Sequence, residues 1–192
     1  MSFQIETGRL IIRDVREEDI PILVKQNAEP EARGGILSFQ ADETYNKKEL
    51  EKAMAWAQYQ RRPYYKLSVA LKTDGTLIGS CTYTDVVPES YEAAIGWHYG
   101  HRFRGNGYAT EAAYAMIDFA FGFVGVNEIF ADCFAENRAS IRIMEKTGMS
   151  SGWNFDLFNV IRGWSYGEQK AAVRYVISKR QWSAKHFKSR AE

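Results

Sequence analysis

The sequence predicts one α/β (α+β) domain, a mixed and mostly antiparallel sheet flanked by helices. Three observations predict it. The apolar period switches from helical to strand-like near residue 64 and back near residue 108, giving signals in the order β-α-α-β-β-β-α-β-α-β-β. The tetrapeptide Thr73-Asp74-Gly75-Thr76 separates two β-rich runs, and Asp-Gly supplies the positive φ angles of a hairpin turn. The chain has 192 residues, 45% hydrophobic and 26% charged, with no internal repeat, low-complexity segment or linker, which suits a single core. The expected domain runs from 1 to 192.

Taken in order, Arg9 to Val15 is a β-branched run and reads as a strand. The next segment begins with acidic residues and Pro21, carries apolar positions at 20, 23 and 24, and stops before Pro30, which is a helix pattern. A loop with Gly34 and Gly35 follows. Asp42 or Thr44 caps a second helix, rich in Ala, Leu, Glu and Lys and closed by Pro63. The runs starting at Tyr64, Thr76 and Tyr91 are three strands able to pair as an antiparallel meander. An Ala-rich apolar helix from Tyr108 then crosses over to the strand "NEIFADCFAE", which should lie parallel to its predecessor. "NRASIRIMEKTGM" is a helix with Asn137 as N-cap and Gly148 as stop. The remainder alternates aromatic and polar residues and reads as two strands and a short tail.

The formal net charge of +1 gives no push toward a nucleic-acid partner. Cys81 and Cys133 lie in apolar runs as small buried hydrophobes, and no zinc spacing is present, so no metal is expected. The start "MSFQIETGRL" lacks a basic segment followed by an apolar one, and no apolar run reaches the ~20 residues of a bilayer span. The expectation is a cytoplasmic protein without membrane contact.

The chemistry concentrates in "HRFRGNGYATEAA". Arg102-x-x-Gly105-x-Gly107 precedes Tyr108, Ala109, Thr110 and Glu111 at a helix start. No Gly-Lys-Ser/Thr follows, so it is not a triphosphate loop. The third glycine of a dinucleotide fingerprint would fall at Thr110, and no βαβ repeat supports that reading. Gly105 and Gly107 permit close backbone approach, successive N–H groups can point into one hollow at the positive end of the helix, and Arg102 and Arg104 add charge. On spacing alone, this is either a metal-free pyrophosphate cradle or a tight turn.

With these residues in view, the sequence resembles the GNAT N-acetyltransferases. The glycine loop after "AIGW" is similar to their acetyl-CoA loop. The Asn137–Met149 segment resembles the N-x-x-S-x-x-x-x-E-K-x-G-F/M signature of the branch containing the ribosomal-protein N-terminal (RimJ/RimL-like) acetyltransferases. The opening "IETGRLIIRDVREEDI" and the closing strand "VRYVISKRQW" are similar to that branch too, so the resemblance covers nearly the whole chain. It implies a GNAT-like fold whose sheet splays between the strands near 93–99 and 128–134, with the pantetheine arm inserted there. Gly96, inside the first of these strands, reads as a bulge or a close backbone approach.

The resemblance implies acetyl transfer from acetyl-CoA, as cosubstrate, to a primary amine, either a protein N-terminus or a small molecule. The attack is direct, without a metal. Gly105, Asn106, Gly107, Tyr108 and Ala109 would face the pyrophosphate, with Arg102, Arg104 and Thr110 around them. Trp97 and Tyr99 lie on the pantetheine strand, their side chains serving as core or as pocket wall. Asn137 is both N-cap and pantetheine contact by the same resemblance, and Ser140 is the proposed acid that reprotonates the leaving thiolate. Many relatives carry glutamate where this chain has Ala94. The base is therefore sought at Glu92, two residues earlier, or at His98, with Asp85 a weaker candidate. Each of these also has a reading as a solvated or packing residue. The Ala94 departure motivates an alternative, a CoA-binding sensor or scaffold protein without transferase activity. The acceptor pocket is expected from Gly34, Gly35, Trp153, Phe155, Phe158 and Trp164, which either clasp an amine or pack as a hairpin. In the family this late segment often meets a second subunit, which makes a homodimer one expectation.

Overall fold

The structure, a computed structural model, describes residues 3–29, 43–87, 91–156 and 171–188. Among them eight strands form one sheet: β1 (Gln4–Glu6), β2 (Leu10–Asp14), β3 (Tyr64–Leu71), β4 (Leu77–Val87), β5 (Glu92–Tyr99), β6 (Glu128–Phe134), β7 (Ser150–Asp156) and β8 (Ala171–Ser178). The helices are α1 (Ile20–Asn27), α2 (Glu43–Trp56), α3 (Tyr108–Phe119), α4 (Arg138–Thr147) and α5 (Lys179–Lys188). The spatial order is β1-β2-β3-β4-β5-β6-β8-β7. Every neighbouring pair is antiparallel except β5 and β6, which the α3 crossover makes parallel as expected.

Alternation decides which face carries the core. Leu10 and Ile12 of β2, Tyr65, Leu67 and Val69 of β3, Cys81 and Tyr83 of β4, and Ala93, Ile95 and Tyr99 of β5 all point one way. They pack with Ala112, Met116, Ile117 and Phe119 of α3 and with Ile141 and Met144 of α4. The other face is polar under α1 and α2. Arg13, Ser68, Ser80 and His98 lie there, and a smaller cluster of Leu23, Val24, Leu50 and Leu77 seals its end. The buried carboxylate of Asp19 on this face is fully bonded, as burial requires. Asp19 accepts two bonds from Arg13, at 2.6 and 2.9 Å, one from the Ser68 hydroxyl at 2.6 Å and one from Arg16 N–H at 2.9 Å.

Burial alone would raise the pKa of Asp19, but these donors outweigh it and hold the carboxyl below its usual value. A depressed folded-state pKa contributes stability that is present above the unfolded value, ~3.9, and lost as pH falls through the folded one. Asp19→Asn is therefore expected to be less stable than the parent at pH 7. The gap should shrink as pH falls below ~4. Urea unfolding at a series of pH values checks this.

Several elements depart from the sequence reading. The first strand is preceded by β1, whose pairing Gln4↔Arg13 makes a short hairpin. The closing strand stops at Ser178 rather than running through Trp182. Ser178-Lys179-Arg180-Gln181 is a capping box: Gln181 Oε1 accepts from Ser178 N–H at 2.8 Å, and the Ser178 hydroxyl accepts from Gln181 N–H at 3.3 Å. Helix α5 starts there in place of a tail. Gly96 is not a bulge, because it pairs regularly with Thr82; the shift in that ladder falls between Asp85 and Val87. Strand β8 inserts between β6 and β7. Among the described residues, no helix is long and apolar enough to cross a membrane.

Candidate active site

The β5–β6 ladder is short. Glu92, Ala93 and Ala94 pair with Glu128, Ile129 and Phe130, and β5 then runs on to Tyr99 with no further β6 partner. The sheet opens there, between the two segments where the sequence placed a splay. Beyond the open edge lies a cavity of about 390 Å³. The end of β5 borders it through Trp97, His98 and Tyr99, the glycine loop through Phe103, Arg104, Gly105 and Gly107, and the start of α3 through Tyr108, Ala109 and Thr110. Helix α4 supplies Asn137, Ala139, Ser140, Arg142, Ile143 and Lys146. Among the described residues that line it, Arg104, Arg142 and Lys146 are cationic.

The loop has the conformation its glycines allow. Gly105 has φ of +80° and Gly107 has φ of +79°, both left-handed. A Cβ on Gly105 would meet nothing within 4 Å, so the requirement there is conformational rather than steric. Gly107 is the N-cap of α3, so the first N–H groups of that helix open on the same side as the loop. Asn106 does not line the cavity; its amide donates to the Phe103 and Arg104 carbonyls at 3.2 and 3.1 Å and closes the turn. Arg104 Nε donates to Tyr99 O at 3.1 Å, tying loop to strand. Arg102 lies away from the cavity lining, stacked over the Phe103 ring at 4.5 Å.

The start of α4 is equally definite. Asn137 Oδ1 accepts from Ser140 N–H at 3.1 Å, the N-cap bond expected of that asparagine. This puts Ser140 in the first turn, on the cavity wall. Tyr99 is buried in the core and Trp97 packs against it. Arg142 and Lys146 also border the cavity, and the sequence reading passed over them. Their signal was the i, i+3, i+7 spacing from Ala139, which puts them on one face of α4.

Glu92 and His98 are not brought together. They share a sheet face but are six residues apart on one extended strand, about 20 Å. His98 packs against α1, its Nε2 3.1 Å from Gln26 O, and burial pulls its pKa down to about 4. The neutral ring with Nε2–H donating fits that contact. Glu92 is exposed at the start of β5, before the sheet opens. The sequence reading also missed Asp132, on the same face of β6 as Phe130 and just past the last paired residues. Arg174 of β8 holds it with two bonds of 2.8 and 2.7 Å and stacks on Phe130 at 3.7 Å. Asp85 accepts from the Tyr83 hydroxyl. Burial pushes the free thiols of Cys81 and Cys133 up to about 12 and about 11, so both are protonated near neutral pH. Gly34, Gly35, Phe158 and Trp164 lie outside the described residues, as do the side chains of Trp153 and Phe155.

The sheet opens between two parallel strands beside a left-handed glycine loop and a cation-lined hollow. The chain belongs to the GNAT acetyltransferase family: the profile described as "Acetyltransferase (GNAT) domain" matches residues 9–150. Among curated relatives, an uncharacterized N-acetyltransferase, YnaD of Bacillus subtilis (strain 168), is 36% identical over 85 residues, 44% of this chain and 49% of that protein. The chain thus matches about half the length of that relative. Among solved structures, a GNAT-family acetyltransferase from Bacillus anthracis superposes with a TM-score of 0.77 at 24% identity, covering 93% of this chain and 99% of that one. RimL, a ribosomal L7/L12 alpha-N-protein acetyltransferase solved with coenzyme A, superposes with a TM-score of 0.76 at 14% identity, covering 92% and 98%. At these identities the two structures speak for the fold.

Proposed function

We propose that this protein transfers an acetyl group from acetyl-CoA to a primary amine. The observation that carries the reading is the cavity itself. It runs from the open edge of β5 to the left-handed loop and sets Arg104, Arg142 and Lys146 around it. That charge pattern suits a thioester carrier with several phosphate charges. The GNAT family membership supports the same cofactor. In this reading the N–H groups of residues 105–109 hold the pyrophosphate, the backbone of β5 past Ala94, on the side where the β6 ladder has ended, holds the pantetheine arm, and Asn137 contacts it while capping α4.

The amine attacks the thioester carbonyl carbon directly. Its nitrogen bonds to that carbon, the C–S bond breaks, the amine gives up a proton, and the thiolate takes one. We assign the second proton to Ser140, at the positive end of α4. We assign the first to Glu92, through a water, because Glu92 stands two residues from Ala94 on the face away from α3. His98 is left to packing. A side chain with a pKa of about 4, donating to Gln26 O, is a weak base at neutral pH. The acceptor is a small amine or a protein N-terminus, the latter in keeping with the likeness to RimL. The domain is proposed to take in β8 and α5 beyond the matched segment, since β8 lies inside the sheet. The two buried free thiols fit a reducing cytoplasm.

A panel of small amines and N-terminal peptides, assayed for acetyl-CoA-dependent thiol release, tests the reading. Turnover with at least one acceptor is expected. With that acceptor, Glu92→Gln is expected to lower kcat/KM about 10²-fold. His98→Gln should stay within about threefold, since it removes no proton-transfer group. The reverse order would reassign the base. CoA binding with no thiol release across the panel would point instead to a CoA-binding protein without transferase activity, the reading that Ala94 invites.

A further inference from the structure

Arg9 lies in the turn between β1 and β2, about a hundred residues from the glycine loop in sequence, yet it touches both that loop and the first turn of α3. Its Nη1 donates to Asn106 O at 3.0 Å. A Cβ placed on Gly107 would come 3.4 Å from its Nη2. Its guanidinium lies 4.6 Å over the Tyr108 ring. Its Nε donates to Glu111 Oε2 at 2.7 Å. The turn around it converges on the same carboxylate: Glu111 Oε1 accepts from the Thr7 hydroxyl at 2.6 Å and from Arg9 N–H at 2.8 Å. The Thr7 hydroxyl also accepts from Leu10 N–H at 3.0 Å, which fixes the turn.

We propose that Arg9, anchored by Glu111, is a positioning residue that sets the aim of the loop's N–H groups at the pyrophosphate. The inference rests on the cofactor reading above. The physical reason is the peptide plane. In a trans peptide the C=O and N–H point in opposite directions, so holding Asn106 O toward Arg9 aims Gly107 N–H the other way, toward the cavity. With two left-handed glycines, the loop has conformational freedom that must be removed before it can bind. Arg9 removes it from behind, without touching the ligand. A guanidinium fork can bond the carbonyl and the carboxylate at once, whereas a lysine ammonium on a flexible stem presents a single point. Glu111 serves as the anchor: burial would raise its pKa, but Thr7 and both Arg9 donors keep it lowered and ionised. Without its partners, that carboxylate would be an uncompensated anion in the first turn of the helix that faces the pyrophosphate.

The test compares Arg9→Ala, Arg9→Lys and Glu111→Gln with the parent, by calorimetric titration with CoA and by initial rates with acetyl-CoA and with acetylpantetheine, which lacks the pyrophosphate. Arg9→Ala is expected to raise the CoA Kd and the acetyl-CoA KM about tenfold, with kcat and the acceptor KM within twofold and acetylpantetheine kcat/KM unchanged. Arg9→Lys should recover less than half of that loss on a logarithmic scale. Glu111→Gln keeps the Arg9–Asn106 bond and should lose only two- to threefold. Equal CoA affinity in the parent and Arg9→Ala would overturn the inference. So would an equal loss on acetylpantetheine, which would mark general destabilisation. A parent that binds no CoA would instead overturn the cofactor reading, which keeps the two failures apart.

Discussion

Gly107→Val lowers CoA affinity by about 100-fold or more while leaving the protein folded. Gly107 sits at φ +79°, where an L side chain costs roughly 1–2 kcal/mol. A β-branched residue resists that region most strongly and moves the loop out of it. The move turns the Asn106–Gly107 peptide, breaks the 3.0 Å bond from Arg9 to Asn106 O, and re-aims the N–H groups at the head of α3. Each charge-assisted bond to phosphate so lost is worth about 1.5–3 kcal/mol, and ~2.8 kcal/mol is already 100-fold. The fold itself survives, because Gly107 is exposed and its Cβ would meet nothing nearer than the Arg9 tip at 3.4 Å. The control is Gly75→Val. Gly75 has φ of +74° with nothing within 4 Å, in the hairpin between β3 and β4 and away from the cavity. It should show comparable destabilisation to urea and parental CoA affinity. Loss of CoA affinity in both variants would show that stability, not loop aim, governs binding.

Ser140→Ala lowers kcat about 10²-fold at saturating acetyl-CoA, with the CoA Kd nearly unchanged. Positioned proton donors contribute about 10²–10⁴-fold. The substitution isolates that effect, because the bond that builds the α4 cap runs from Ser140 N–H to Asn137 Oδ1 and does not use the hydroxyl. Alanine keeps the N–H and the best helix propensity, so the cap, the cavity wall and the helix dipole persist. The loss should diminish when the leaving thiol is more acidic, since a better leaving group needs less protonation. Asn137→Ala behaves differently. It removes the cap at a cost of ~1 kcal/mol and should raise KM as well as lower kcat. An unchanged kcat in Ser140→Ala would take that hydroxyl out of the reaction and leave thiolate departure to solvent and the helix terminus.

The sequence was most informative where local chemistry is decisive. The left-handed loop follows from two glycines before an alanine-rich helix, and the α4 cap from asparagine followed by serine three residues on. The opened sheet followed from the crossover helix together with the family resemblance. It is visible as a parallel ladder that ends at Ala94 and Phe130. What escaped depends on contacts distant in sequence. Arg9 reads as one more charged residue beside a strand until β1 and β2 are folded against α3. Asp132 is masked in an apolar run, and its meaning comes from β8, which inserts beside β6 only in three dimensions. Glu92 and His98 share a face by period two, but periodicity carries no information on covering elements, so the packing of His98 under α1 was not legible. The reading of Gly96 as a bulge or a close backbone approach followed from glycine's usual weakness in strands. Here the regular Gly96↔Thr82 pair persists, and the irregularity lies at Asp85 and Val87 instead. The Ser178-x-x-Gln181 capping box that ends β8 directly follows a β-rich run, and that run led the sequence reading to carry the strand past it.

Calorimetric titration of the unmodified protein with CoA is the most direct test of the central claim, that this cavity holds a CoA thioester carrier. One site per chain with a dissociation constant in the micromolar range is expected, weakening as salt screens the cations of the cavity. An absence of binding heat at high micromolar CoA, confirmed by an unchanged melting temperature under the same conditions, would contradict it.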